Sequence, residues 1–251
     1  MKRIALILLL VSFAYPQNRA VKSFILKYAN SRNGTQLNGT TQYWYNATPS
    51  ANVQSAGASA SENISIIAIV DSATGGIQGV VSTKGGTGSS TDGYHLYYQS
   101  PSWRFQFGDG STNKQGTVNA PTVTTLLIAS ADRTGNVTVY ANGVAGTPVA
   151  MSGLGDCTAA TALSIGLLSR SSPTYFYAGK LGFIQIIKGY ALTASDVARL
   201  QAKYKSGNLP IYYESGTTVA LYDWQSNGFD KSGNGNHLTP VNDPIIVKVK
   251  Q

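Results

Sequence analysis

Short segments with the patterning of β-strands recur from about residue 36 onward, and glycine or asparagine separates them. In SWRFQFGDG (102–110) the aromatic residues Trp103, Phe105 and Phe107 alternate with Arg104 and Gln106. Successive side chains of a strand point to opposite faces, so this alternation predicts a half-buried strand. About a dozen such segments with turns every 8–12 residues favour an antiparallel sandwich over a parallel sheet.

Two further segments sharpen this prediction. NISIIAIVDS (63–72) is a continuous apolar run, which is typical of a strand covered on both faces. The stretch 124–144 contains two apolar runs around Asp132-Arg133-Thr134-Gly135 and predicts a hairpin.

The periodicity changes once, in LTASDVARLQAKYKSGN (192–208). Val197, Leu200 and Tyr204 are spaced as on one face of a helix. Thr193 lies three residues before Asp196, in a capping-box arrangement with Asp in place of Glu. We therefore expect one short helix near the end of an otherwise all-β domain.

Composition limits the alternatives. The chain is 42% hydrophobic and 12% charged, which allows a large core and argues against disorder. Cys157 is the only cysteine, so no disulfide forms within the chain. The net charge of +8 is compatible with an anionic partner or with a merely solubilising excess. No basic run exceeds Lys2-Arg3, so we expect no nucleic-acid partner.

Residues 36–205 resemble the concanavalin A-like lectin/glucanase superfamily and its laminin-G-like jelly-roll domains. The resemblance is carried by NGTTQYWYN (38–46), ISIIAIVDS (64–72), VYANGV (139–144), LSIG (163–166) and the closing block 175–201. It implies a two-sheet antiparallel jelly-roll sandwich, and the fold hosts lectins, glycosidases and adhesion modules. DKSGNGNH (230–237) also resembles a segment of such proteins, and this tail is similar to those of bacteriophage structural proteins.

We expect three regions. Residues 1–33 form a hydrophobic N-terminal segment and linker, residues 34–208 the jelly-roll domain, and residues 209–251 a C-terminal extension. The N-terminal segment has the layout of a signal peptide, but it also fits an anchor into a larger assembly. Its apolar run is too short for a stable membrane span.

The sequence argues against catalysis. Glucanases of this superfamily need two neighbouring carboxylates, and this chain has only Glu62 and Glu214, far apart in the sequence. His95 is expected to be a strand-surface or hydrogen-bonded core residue, and His237 to be exposed in a turn. No G-x-S-x-G motif supports a serine nucleophile.

Binding residues can still be predicted. Sugar recognition needs aromatic faces and amide groups, which selects Tyr97, Tyr98, Tyr175, Trp224 and Asn142. The resemblance further implies calcium at a sandwich rim, for which Asp92, Asp109 and Asp132 are the loop aspartates considered. Asp before Gly is also an ordinary turn residue, so Asp92 and Asp109 are explained without a metal as well.

Together these features predict a non-enzymatic structural or adhesive module displayed on a virion or cell envelope, with glycan binding. Its expected partners are other subunits of the surface assembly and cell-surface glycans, and its expected location is extracellular or on the virion. A secreted bacterial lectin-like protein is the alternative, and a polysaccharide-degrading enzyme is less favoured.

Overall fold

A computed structural model describes residues 31–57, 59, 61–71, 73–84, 91–159, 162–169, 173–207 and 213–250. The predicted signal peptide or anchor at residues 1–30 lies outside these residues. Two sheets and two helices build the fold, and the helices are α1 (Ala51–Gln54) and α2 (Ala194–Lys205). None of the helices described is long and apolar enough to cross a membrane.

The strands are numbered in chain order. They are β1 (Ser31–Asn38), β2 (Tyr43–Asn46), β3 (Ile64–Val70), β4 (Ile77–Ser82), β5 (Gly93–Gln99), β6 (Ser102–Gly108), β7 (Asn113–Asn119), β8 (Thr125–Ala131), β9 (Asn136–Ala141), β10 (Val144–Ala145), β11 (Val149–Ala150), β12 (Leu163–Ile165), β13 (Leu167–Ser169), β14 (Thr174–Phe176), β15 (Ala178–Lys188), β16 (Thr217–Tyr222), β17 (Gln225–Gly228), β18 (Thr239–Val241) and β19 (Ile245–Lys250).

The predicted two-sheet antiparallel sandwich is confirmed. One sheet has nine strands, in the order β10-β9-β8-β3-β15-β1-β19, with β11 paired to β9 and β16 to β15. The other has seven strands, in the order β18-β2-β12-β4-β5-β6-β7. β13 and β14 form a separate two-stranded hairpin.

The apolar run at β3 is buried at every position, as its sequence predicts. One set of its side chains, including Ile64 and Ile66, faces the core between the sheets. The alternate set, Ile67 and Ile69, packs in a second cluster with residues of α2. A strand needs two apolar faces when it has a sheet on one side and a helix on the other.

Helix α2 begins as predicted. The Thr193 side chain accepts a hydrogen bond from the Asp196 backbone amide, and the Asp196 carboxylate accepts one from the Thr193 amide. Val197 and Leu200 are buried against the nine-stranded sheet. The single-turn helix α1 was not predicted, because four residues are too few to show a helical period.

The segment after residue 208 adds strands to both sheets. β16 pairs with β15 and β19 with β1 in the nine-stranded sheet, while β18 pairs with β2 in the seven-stranded sheet. The DKSGNGNH segment (230–237) packs back on the sandwich through Asp230, which is 2% exposed. The Asp230 carboxylate accepts hydrogen bonds from the backbone amides of Leu221, Ser232 and Asn236.

Candidate functional site

The outer face of the seven-stranded sheet carries a continuous row of polar side chains. Backbone pairing places one residue of each strand in register, from one edge to the other. In spatial order the row is Thr239, Tyr45, Ser164, Ser82, His95, Gln106 and Gln115.

The adjacent row shows which way these side chains point. Its members alternate with the polar row along the strands and lie in the core between the sheets: Trp44, Ile165, Val81, Leu96 and Phe105. Because neighbouring residues of a strand face opposite sides, the polar row faces away from that core. The sheet is therefore apolar on one face and polar, with aromatic members, on the other.

His95 is the most unusual member of the polar row. Its side chain is 1% exposed, and its Nε2 is hydrogen-bonded to Oε1 of Gln106. Its Nδ1 is buried without a hydrogen-bond partner. Burial, together with the positive charge of Lys84, lowers the pKa of His95 to about 3, so the ring is neutral at physiological pH. With Nε2–H donating to Gln106, Nδ1 is an acceptor that no group of the described chain uses.

A second polar cluster lies one row along. The Tyr97 hydroxyl donates to Oε1 of Gln115 over 2.6 Å, and Tyr97 is paired in register with Arg104. Burial raises the pKa of Tyr97, and the nearby Arg104 opposes that shift. Nε of Arg104 is also buried without a partner. The His95 and Tyr97 rings are 4.9 Å apart, so the two polar clusters adjoin each other.

The β13–β14 hairpin lies over the middle of this face. The Ser82 hydroxyl donates to the carbonyl oxygen of Leu168 over 3.0 Å. Gly79 makes the approach feasible, because a Cβ at this position would lie 2.3 Å from the Leu168 nitrogen. The hairpin leaves a polar strip on β5–β7 to one side, where Arg104 and Gln115 are partly exposed.

An aromatic cluster lies on the other side of the hairpin. The Tyr43 ring is 6.4 Å from the Tyr45 ring and 6.0 Å from the Phe176 ring. All three side chains are partly exposed. They provide the apolar surface that a sugar ring can stack on, next to a face rich in hydrogen-bonding groups.

The structure places the five predicted sugar-binding residues in three different environments. Tyr97 lies on the outer face described above, and Tyr175 lies beside it on the hairpin, 40% exposed. Tyr98 and Trp224 belong to the core, at 6% and 1% exposure. Asn142 lies in the turn after β9, where its side-chain oxygen accepts from the Leu126 amide. Only Tyr97 and Tyr175 are thus near the polar row.

Two of the three loop aspartates, Asp109 and Asp132, accept hydrogen bonds from backbone amides of turns. The Asp109 carboxylate accepts hydrogen bonds from the amides of Thr112, Gly155 and Ser111, which hold its pKa well below the usual range. Asp132 accepts from the amide and hydroxyl of Thr134, and Asp92 is exposed. Across the described ranges, no three His, Cys, Asp or Glu side chains group to hold a metal ion.

The two glutamates are not arranged as a catalytic pair. Glu62 forms an ion pair with Lys188 at 3.3 Å, and Glu214 is exposed. His237 accepts a hydrogen bond at Nδ1 from the Asp230 amide and stacks on Phe229. Glu62 and His237 thus both contact side chains or backbone of their own chain.

Sequence reasoning did not select Arg104, Gln106 and Gln115 as binding residues. The alternation in 93–99 and 102–108 does identify the outward positions, because Tyr94, Leu96 and Tyr98 are core residues while His95 and Tyr97 lie between them. The alignment of one strand with the next was not encoded in any single segment. Only the pairing of strands shows that these side chains share a face.

Comparison with known proteins supports the fold. No protein-family model matches this sequence. No curated protein matches it either. Among solved structures, the Ruminococcus gnavus IT-sialidase CBM40 superposes with a TM-score of 0.54 at 16% identity, covering 69% of this chain and 98% of that one. The same module bound to alpha2,3 sialyllactose gives 0.55 at 14% identity, covering 69% and 98%.

Two other structures extend over more of the chain. A putative carbohydrate binding protein from Bacteroides ovatus has a TM-score of 0.59 at 13% identity and covers 88% of this chain and 60% of that one. A heptameric SAP-like pentraxin from Limulus polyphemus has 0.56 at 12% identity, covering 87% and 95%. At these identities the likeness establishes a shared sandwich fold, consistent with the concanavalin A-like resemblance. Two of these three neighbours are described as carbohydrate-binding, and none as a catalytic domain.

Proposed function

We propose that this protein is a non-enzymatic glycan-binding module and that the outer face of the seven-stranded sheet is its binding site. The observation that carries the proposal is the in-register row of polar side chains on this face, whose members Tyr45 and Gln115 are partly exposed on either side of the hairpin. The centre of the row is buried, with His95 at 1% exposure, so a ligand would contact the face at these partly exposed members.

The two sides of the face supply complementary contacts. Gln115, Tyr97 and Arg104 offer amide, hydroxyl and guanidinium groups for sugar hydroxyls. Tyr43, Tyr45 and Phe176 offer aromatic surface for the apolar side of a pyranose. Tyr175, exposed on the hairpin between them, is well placed to cover a bound sugar.

The absence of acidic groups on this face supports binding without hydrolysis. No aspartate or glutamate occupies the described outward positions of the seven-stranded sheet. A glycosidase of the usual kind would need two carboxyl groups flanking the scissile bond. The solved structures of similar fold that are named as carbohydrate-binding modules or proteins support the same conclusion.

The wider role that we propose is display on a virion or cell envelope, outside the cell. The hydrophobic segment within residues 1–33 would anchor the module to other subunits of the assembly, and the sheet face would bind cell-surface glycans. N-terminal sequencing of the native protein tests this part. Retained Met1 is expected for an assembly anchor, whereas a new N-terminus near Ala14 would support a secreted lectin-like protein instead.

A glycan array probed with the full chain tests the binding site. We expect binding that Gln115→Ala weakens about tenfold, since a hydrogen bond to the ligand and the orientation of Tyr97 are both lost. Gln225→Ala is the matched control, because Gln225 is an exposed strand residue outside the seven-stranded sheet. If the wild-type protein bound no glycan on the array, glycan binding would be contradicted. If both variants lost affinity equally, the location of the site would be contradicted.

A further inference from the structure

We propose, on the basis of the glycan-binding function above, that this face selects glycans that carry an anionic group and that Arg104 binds that group. The anion would be a carboxylate or a sulfate ester, because both present oxygen atoms to the planar donor group of arginine.

The charge distribution on the face is the first argument. Arg104 is the only charged residue among the outward positions of the strands in the seven-stranded sheet that the structure describes. The neutral residues around it, Tyr97, Thr117 and Gln115, cannot neutralise it. Lys84 lies just beyond the end of β4, and its positive charge acts on His95. The potential of this face is therefore positive.

The state of the Arg104 side chain is the second argument. Two other arginines of the described chain have acceptors within their own fold: Arg199 pairs with Asp196 at 3.3 Å, and the Arg133 guanidinium donates to the carbonyl oxygens of Ser59 and Gly155. The Arg104 side chain is hydrogen-bonded to Tyr97, but it has no carboxylate within ion-pair distance in the described residues, and its Nε is buried without a partner. A partly exposed guanidinium without an ion-pair partner gains more from an anionic acceptor than from a neutral hydroxyl, because charge-assisted hydrogen bonds are stronger.

The position of Arg104 is the third argument. It is held in β6, in register with Tyr97 on one side and Thr117 on the other, so its backbone is fixed by hydrogen bonds to both neighbouring strands. Tyr97 in turn is held by Gln115. A cation fixed on a sheet loses less conformational freedom on binding than one on a loop, which favours its use in specific recognition.

The experiment compares neutral, carboxylated and sulfated glycans on one array, followed by calorimetric titration of the best binder and of its neutral counterpart at 0.15 M salt. We expect the anionic glycan to bind the wild-type protein about tenfold or more tightly than its neutral counterpart. Arg104→Gln should remove this preference, because it should lower the affinity for the anionic glycan about tenfold more than the affinity for the neutral one. The carboxylated and sulfated arms identify which anion is preferred.

Arg199→Gln is the matched control, because it removes the same charge from helix α2 on the opposite side of the nine-stranded sheet. If Arg104→Gln and Arg199→Gln reduced the preference for the anionic glycan equally, the preference would come from net charge, and the inference would be overturned. Equal affinity of the wild-type protein for neutral and anionic glycans would overturn it too, while leaving the proposed function intact. Failure to bind any glycan would instead refute the proposed function. Arg104→Lys, which keeps the charge but not the planar donor pair, should restore only part of the preference.

Discussion

The rings of Trp44 and Trp224 lie 5.3 Å apart, one from the second strand of the chain and the other from its C-terminal region. Each indole is hydrogen-bonded, Trp44 to the Thr35 hydroxyl at 2.8 Å and Trp224 to the carbonyl oxygen of Gly182. Tyr222 stacks on Trp224 at 6.0 Å. The C-terminal region is therefore built into the core between the sheets, and its tryptophan is a core residue.

Replacing Trp224 tests this assignment. Trp224→Ala should lower the free energy of unfolding by about 3–5 kcal/mol, because it opens a cavity beside Trp44. Trp224→Phe should lower the unfolding free energy by less, because it keeps part of the contact with the Trp44 ring. Urea denaturation measures both. A stable Trp224→Ala protein that no longer binds glycan would restore Trp224 as a sugar-contacting residue.

Gly79 should be intolerant of even one added methyl group. A Cβ there would lie 2.3 Å from the Leu168 nitrogen and 2.5 Å from the Leu167 carbonyl carbon, so the hairpin must move. We expect Gly79→Ala to cost about 1–3 kcal/mol in unfolding free energy and to speed amide hydrogen exchange in the hairpin. Gly76→Ala is the matched control, because nothing lies within 4 Å of a Cβ at that position. If amide hydrogen exchange in the hairpin did not change, the position of the hairpin would not depend on the absence of a side chain at Gly79.

His95 predicts a specific dependence of stability on pH. Burial holds the folded-state pKa at about 3, below the ordinary value of 6.5, so the unfolded state takes up the proton first. The stabilisation from a neutral His95 is complete above pH 6.5 and is lost as the pH falls from 6.5 towards 3. Within that window the loss is about 1.4 kcal/mol per pH unit.

Denaturation midpoints between pH 7 and pH 5 measure this slope with little interference from carboxylates. His95→Gln should flatten it, and His237→Gln, which removes the other histidine of the chain, serves as the matched control. A slope that is the same in His95→Gln and in the wild-type protein would contradict the assignment.

Local patterns in the sequence were enough to predict the sandwich. The alternation around Trp103 and Phe105, the continuous apolar run of β3 and the capping residues Thr193 and Asp196 each act over a few residues, and all were confirmed. The polar row was not predictable in this way, because His95, Gln106 and Gln115 meet only through the pairing of three strands. The choice of Trp224 and Tyr98 as candidate sugar contacts reflects the same limit. Aromatic residues occur both in cores and on binding faces. Which face of the sheet an aromatic side chain lies on follows from strand pairing, not from the residue type.

Asp230 should be essential for holding the C-terminal strands to the sandwich. Its Oδ1 accepts from the amides of Leu221 and Ser232, and its Oδ2 accepts from the Ser232 hydroxyl at 2.8 Å and the Asn236 amide at 2.9 Å. Asp230→Asn replaces one acceptor oxygen with a donor, which leaves a buried amide facing another donor. We expect this change to lower the unfolding free energy by about 2–4 kcal/mol.

Asp156→Asn provides the comparison, because Asp156 also accepts from a nearby amide and hydroxyl, those of Thr158, but is exposed. Water can replace the hydrogen bonds that Asp156→Asn loses, so this change should lower the unfolding free energy by less than about 1 kcal/mol. Urea denaturation measures both variants, and hydrogen exchange in β16 and β18 should rise only in Asp230→Asn. Equal stability of the two variants would mean that the buried carboxylate does not fix this segment.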